Sequence, residues 1–206
     1  MTKFASGWLN RIATVPLAVV LGATFASAAY ADTWKIDPMH TTVEFSVRHM
    51  TISNVKGKFE KVSGSIHING TDISSAVIEA TIDASSINSG VEMRDADLKG
   101  PHFLDVAQFP TITFKSTKID RASEKMWRVN GNLTMHGVTK PVSLFVDGPT
   151  PMVTDPRGNT RIGANATGTL SRKAFGLTYN PMLEAGGAVV GDAVAIIIEV
   201  EAVKEK

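Results

Sequence analysis

The sequence predicts an all-β protein built from antiparallel strands. Three observations carry that prediction. Apolar and polar residues alternate in run after run, glycine, proline and asparagine punctuate the runs, and helical periodicity is almost absent. About eight main strands result, each with one wet and one apolar face, as antiparallel neighbours require. The pattern alone fits a closed barrel and a sandwich equally well.

The first 31 residues stand outside that count. Lys3 and Arg11 give a basic start, Ile12 to Ala26 an apolar core, and Ala29-Tyr30-Ala31 the small residues that precede a cut before Asp32. A cleaved Sec-type signal peptide over residues 1–31 and one domain over residues 32–206 are expected, with a periplasmic location. Nineteen of the 21 Lys and Arg remain after cleavage, against 20 Asp and Glu, so neither a nucleic-acid footprint nor an acidic tail is present. The chain has no cysteine. That excludes a cysteine-linked lipid anchor and any disulfide, and leaves stability to the sheet and its interior.

The elements follow in order. A short strand near Trp34 ends at the turn signal Asp37-Pro38. From Thr42 to His49, Val43, Phe45, Val47 and His49 share one face and Glu44, Ser46 and Arg48 the other. Phe59 to Ile68 sets Val62, Gly64, Ile66 and Ile68 against Lys61, Ser63, Ser65 and His67, and ends at Asn69-Gly70. Ala76 to Ile82 carries Ile78, Ala80 and Ile82 on one side. A long interruption, Ser85 to Pro110, has room for a charged short helix over Val91 to Lys99 and reads as a lid or binding loop. Thr111 to Ile119 places Ile112 and Phe114 together, and Trp127 to Met135 places Trp127, Val129, Gly131, Leu133 and Met135 together. His136-Gly137 turns the chain into Val138 to Asp147, where Val142, Leu144 and Val146 share a face. After a Pro- and Gly-rich loop, Arg161 to Leu170 alternates through Ile162, Ala164 and Ala166. The last strand, Ala193 to Val203, follows the loop Tyr179 to Gly191 and sets Val194, Ile196, Ile198 and Val200 against Glu199 and Glu201.

Catalytic and metal signatures are weak. The five histidines form no H-x-H or H-x-x-x-H pair, so no clustered metal set is expected. No G-x-S-x-G elbow occurs, and Gly186 to Gly191 lacks dinucleotide-loop spacing. No cofactor is called for and no catalytic residue is assigned. His49, a polar ring in phase with an apolar face, needs a partner there: a backbone carbonyl or a ligand head.

Several spaced blocks go further. Asp37-Pro38, His40-Thr41, Phe45, Val47, His49-Met50 and Gly57-Lys58-Phe59 open the series; Met93-Arg94-Asp95 and Phe103-Leu104-Asp105 follow. Then come Phe109-Pro110-Thr111-Ile112-Thr113-Phe114, Gly131 to Thr139, and Arg172 with Phe175-Gly176. In this order they resemble the YceI-like family over nearly all of residues 32–206. That resemblance implies an antiparallel eight-stranded lipocalin-like barrel with a short helix-containing lid insertion. It also implies periplasmic binding, transport or storage of a polyisoprenoid or other long-chain amphiphilic lipid, without catalysis. Asp97 and Gly100-Pro101-His102 depart from the family's usual histidine, serine and acidic residues, which bears on head-group contacts in that loop.

On that reading the tail would lie against Phe45, Phe59, Ile82, Phe103, Phe114, Trp127, Leu133 and Ile198. The head would meet His40, His49, Arg94, His102 and Arg172, arginine being suited to paired contacts with anionic oxygens. The expected partners are the lipid and, transiently, a membrane, with no nucleic acid. The same apolar set could instead be an ordinary core. A solid-barrel stress or interaction protein, and a barrel isomerase or hydrolase using His49 or His40 as base, are the alternatives.

Overall fold

The computed structural model describes residues 32–69, 72–181 and 188–206. The expected signal peptide, Gly70 of the Asn69-Gly70 turn, and Gly186 and Gly187 lie outside the described residues. Among those described, twelve strand segments form one antiparallel sheet: β1 (Asp32–Ile36), β2 (Thr42–His49), β3 (Ser53–Phe59), β4 (Val62–Asn69), β5 (Asp72–Asp83), β6 (Ile87–Asn88), β7 (Thr111–Arg121), β8 (Met126–Met135), β9 (Val138–Asp147), β10 (Val153–Thr154), β11 (Thr160–Ser171) and β12 (Val190–Lys204). One α-helix, α1 (Glu92–Lys99), lies in the long insertion.

The segments reduce to eight staves, because the first six are three bent strands and the two-residue β10 only extends the sheet locally along β11. β1 and β2 both lie along β12, Ile36 opposite Ala202 and Thr42 opposite Glu199. β4 and β3 flank them in turn, and β5 and β6 flank those. Each remaining stave pairs with its sequence neighbour, and β11 pairs with β12 from Arg161 to Ser171. Since β12 also pairs with β1 and β2, the sheet closes and its long edges vanish. The sequence expectation of eight antiparallel strands in a barrel with a helix-containing insertion is met.

The bends interrupt the ladder, and side chains replace the missing bonds. At the β1–β2 joint the Asp37 amide donates to the Glu201 carbonyl (2.9 Å), while buried Thr41 Oγ1 accepts from the Glu201 amide (3.3 Å). At the next corner the buried Ser86 hydroxyl accepts from the Glu60 and Lys61 amides (3.2 and 3.1 Å) and donates to the Asp83 carbonyl (2.6 Å).

β3 departs from the sequence expectation, which began the next strand only at Phe59. Its polar run is paired residue for residue with β2, Val47 opposite Val55 and His49 opposite Ser53. The turn between them uses Met50 and Thr51 at positive φ (49° and 64°), so no glycine announces it.

Candidate functional site

Even alternation aims one row of each stave inward, and these rows pack in two groups. One gathers Trp34, Ile68, Ile119, Val129 and Ile162. The other gathers Ile112, Leu133, Phe175 and Leu177, capped by Leu98 and Leu104 from the α1 insertion. Each group borders an open-sided cavity, of about 70 Å³ in the first and about 120 Å³ in the second. Phe114 packs against both groups.

The larger chamber, under the lid, is walled by Phe45, Phe59, Phe103, Leu104, Leu170 and Val194 among others, and Arg172 is the one charged residue on its wall. One aromatic position there depends on a glycine. The Phe45 ring covers Gly57 directly opposite, where a Cβ would fall 2.5 Å from its Cζ. Phe45 and Phe59 then meet at 6.1 Å between ring centroids.

Arg172 is placed by a turn. β11 ends at Ser171, a 3₁₀ turn over Lys173–Phe175 follows, and Gly176 at φ 83° reverses the chain. Phe175, 2 % exposed, plugs the interior and pulls the turn inward. The Arg172 guanidinium, 4 % exposed, then donates from Nε to the Gly191 carbonyl (2.9 Å), from Nη1 to Leu177 and Tyr179 (2.9 Å to Tyr179), and from Nη2 to Val190 (3.1 Å). Four of its five N–H groups hold backbone, leaving one Nη2 hydrogen with no acceptor among the described residues. Burial lowers its pKa, and nearby Asp192 opposes the shift. That carboxylate is itself engaged by the Ser171 hydroxyl and the Lys173 amide. Arg172 is thus a brace for the lid end of β12, with a cationic side toward the chamber.

The other expected head-group residues do not converge on it. His49 faces inward at the end of β2, half-buried, and makes no side-chain hydrogen bond with a described residue. His102 is exposed on the lid and stacks on Tyr179 (4.5 Å), while Phe103 meets the same ring edge-on at 5.5 Å. Arg94 folds back on its own loop, donating from Nε to Ser89 Oγ (2.7 Å) and from Nη2 to the Ser89 carbonyl (2.9 Å). The Ser89 hydroxyl and amide both bind Asp95, holding its carboxyl below the usual range, so this serine staples the helix entry although it is not the N-cap.

His40 lies outside the barrel, at the β1–β2 joint, paired with Asp37 at 2.9 Å. Asp37 also binds Arg161 (2.6 Å), which reaches Asp155 (2.8 Å) and Glu201 (3.1 Å). Arg161 first, and His40 second, hold the Asp37 carboxyl down at about 2. Asp37, His40 and Glu201 present ligand atoms within 4.8 Å of one another. With the Arg161 guanidinium already on both carboxylates, the group is an ion-pair network and repels a cation. Sequence reasoning could not find it, because its members lie up to 164 positions apart.

Of the expected tail residues, Phe45, Phe59 and Phe103 line the lid chamber and Trp127 lines the other. Ile82, Phe114 and Leu133 pack in the wall of the lid group and line neither chamber, nor does Ile198. Val194 and Ile196, which do line the lid chamber, share the alternation that singled out Ile198. Leu98, Leu104 and Leu177 had no such signal, since the short helix α1 presents the first and irregular segments the other two.

The model of the YceI-like domain matches residues 34–202. Protein YceI of Salmonella agona is 34 % identical over 195 residues, spanning 91 % of this chain and 98 % of that protein. Burkholderia cenocepacia BcnA superposes with a TM-score of 0.68 at 21 % identity, over 81 % of this chain and 98 % of that one. A polyisoprenoid-binding domain from Saccharophagus degradans superposes with a TM-score of 0.61 at 15 % identity, over 84 % and 98 %. At those identities the two structures speak for the fold alone.

Proposed function

The chain belongs to the YceI-like family, and from that premise we infer that its barrel binds the apolar part of an amphiphilic lipid, an isoprenoid or similar chain, without making or breaking a bond. The carrying observation is the lid chamber: an apolar wall with a single buried cation, Arg172, beneath the α1 insertion. Such a wall takes a chain, and the cationic edge favours a head with an oxygen acceptor. The fold shared with a polyisoprenoid-binding domain is compatible with that ligand class.

Magnitudes limit the kind of carrier. At ~0.8 kcal/mol per buried CH₂, a forty-carbon tail would gain about 30 kcal/mol from water, beyond the practical ceiling of roughly 20 kcal/mol. The donor is therefore a membrane, where the tail is already buried, and exchange is nearly neutral. We place this exchange in the periplasm, after export with residues 1–31 removed. N-terminal sequencing of periplasmic extract should read from Asp32; a product beginning at Met1 in the membrane fraction overturns that placement.

The small chamber volumes favour one rival, a barrel packed solid that works through its surface. Extraction of the purified protein with organic solvent, followed by mass spectrometry, separates the two. A stoichiometric lipid is the expected result. No lipid, together with no uptake of added prenyl alcohol, sinks the carrier reading.

A further inference from the structure

The β2–β3 hairpin ends in an exposed apolar tip: Ile52 is 74 % and Met50 37 % exposed. The turn is unfavourable for the residues that make it. Met50 and Thr51 both take positive φ, where asparagine and glycine are the low-energy choices. Arg48 clasps the turn, donating from Nε and Nη2 to the Thr51 carbonyl (3.0 and 2.8 Å), and stays exposed itself. Apolar side chains held outward on such a backbone point to a role for the tip. The same hairpin is basic. Arg48, Lys56 and Lys58 share its outer face, and no acidic residue occurs between Glu44 and Glu60. Lys58 meets Glu60 at 3.5 Å, which leaves Arg48 and Lys56 as cations toward solvent. The tip also adjoins the lid chamber. The Met50 amide donates to the Val189 carbonyl (2.8 Å), and Val47 and Val190 line the chamber wall. Arg172 binds the carbonyls of both Val190 and Tyr179, which brings Tyr179, also exposed, to this end. β11 runs from here to β10 at the opposite end, where Met152 and Val153 are exposed but Arg121 and Lys125 are balanced by Glu124 and Asp147.

We propose that the β2–β3 tip is the surface by which the barrel docks on a bilayer bearing anionic headgroups. Met50 and Ile52 enter the interface, and Arg48 and Lys56 meet the headgroup phosphates. The inference rests on the lipid-binding reading and names where exchange with the membrane takes place. Apolar side chains beside cations bind such a surface by burial and by charge together. Docked at the tip, a tail leaving the bilayer passes from Ile52 and Met50 to Val47 and Val190 of the chamber wall. The far end offers apolar residues without net charge, so it lacks the second attraction. One cation close to an anionic surface strengthens binding about fivefold, and salt screens that gain.

The absence of cysteine supplies the test, because a single one introduced into the chain is labelled alone. The exported protein is prepared with Ile52→Cys or, as the far-end control, Met152→Cys; both positions are exposed, so the fold tolerates either. Each is labelled with a nitrobenzoxadiazole dye, whose emission brightens and moves to the blue in an apolar setting. Vesicles of phosphatidylglycerol and phosphatidylcholine in equal parts are then added, or vesicles of phosphatidylcholine alone. A blue shift at position 52 with the mixed vesicles is expected, and none at 152. Lys56→Gln in the Ile52→Cys background should weaken vesicle affinity about fivefold. An equal shift with phosphatidylcholine alone overturns the part assigned to Arg48 and Lys56. A shift at 152 instead of 52 means that the opposite end docks and overturns the proposal. So does a shift at 52 on concentrating the protein without vesicles, since a second copy then covers the tip. No shift at 52, while the unsubstituted protein still takes up prenyl alcohol from the mixed vesicles, overturns the docking surface and leaves lipid binding standing. No shift and no uptake remove both readings.

Discussion

Arg161 shows what a single residue does on the outer face. Its side chain, 17 % exposed, gathers Asp37 from the β1–β2 joint, Asp155 from the loop after β10, and Glu201 from β12. Replacing it with methionine leaves the Asp37 and Asp155 carboxylates without their main partner, and a loss of stability at pH 7 is expected from chemical denaturation. The pH dependence has a definite sign. Asp37 and Asp155 titrate below their unfolded values in the native protein, so their contribution is complete above about pH 4 and is lost as pH falls toward 2. The gap between native protein and Arg161→Met should close over that window. An equal gap at pH 7 and pH 2.5 would show that the stabilisation comes from packing instead. Gly131 gives a second residue-scale prediction. Gly131→Ala drives a methyl into the Phe114 ring and should cost about 1–3 kcal/mol. Phe114→Leu should recover part of that cost in the double variant, giving a coupling above about 0.5 kcal/mol; additive effects would argue that the ring moves freely aside.

The lid is an element held by few bonds. α1 has eight residues, no side-chain N-cap and no fully buried residue, and Ser89 ties its first turns through Asp95 and Arg94. Ser89→Ala should therefore loosen α1 without unfolding the barrel. Faster amide exchange across Glu92–Lys99, with the melting temperature moved by only a few degrees, is the expected result. A collapse of the melting temperature would show that the insertion folds as one unit with the sheet. Lipid release should quicken in the same variant if the lid gates the chamber beneath it. At this scale the strands with clean alternation, β2, β7, β8, β9, β11 and β12, were legible in the sequence, and so was α1 from its charge. β3 was not, since Lys56, Gly57 and Lys58 carry no apolar signal and its turn lacks glycine; pairing with β2 alone makes it a strand.

At the scale of the whole molecule, closure does two things. It satisfies the backbone of every stave without disulfides, and it creates an interior that no single strand contains. β12 is the keystone, bonded to β11 on one side and to β1 and β2 on the other. A ligand that binds only the closed barrel must raise its apparent stability, by about 2.7 kcal/mol at a hundredfold excess over Kd. Thermal melts with and without added prenyl alcohol measure this directly. An unchanged midpoint at saturating alcohol would mean that the interior is not the site.

Local chemistry decides what the sequence states by itself: which residues turn, which alternate, and hence that the chain is an antiparallel all-β fold with one charged insertion. Period-two alternation records only that a face is buried, not what lies across from it. Val194, Ile196 and Ile198 read alike along β12, yet the first two line the lid chamber and the third lines neither cavity. His40 and Arg172 likewise looked alike as polar residues in family blocks. Closure places one outside, paired to Asp37, and the other inside, bonded to four carbonyls. These placements depend on two packing groups drawn from across the whole sheet, and such long-range contacts exist only once the barrel has closed.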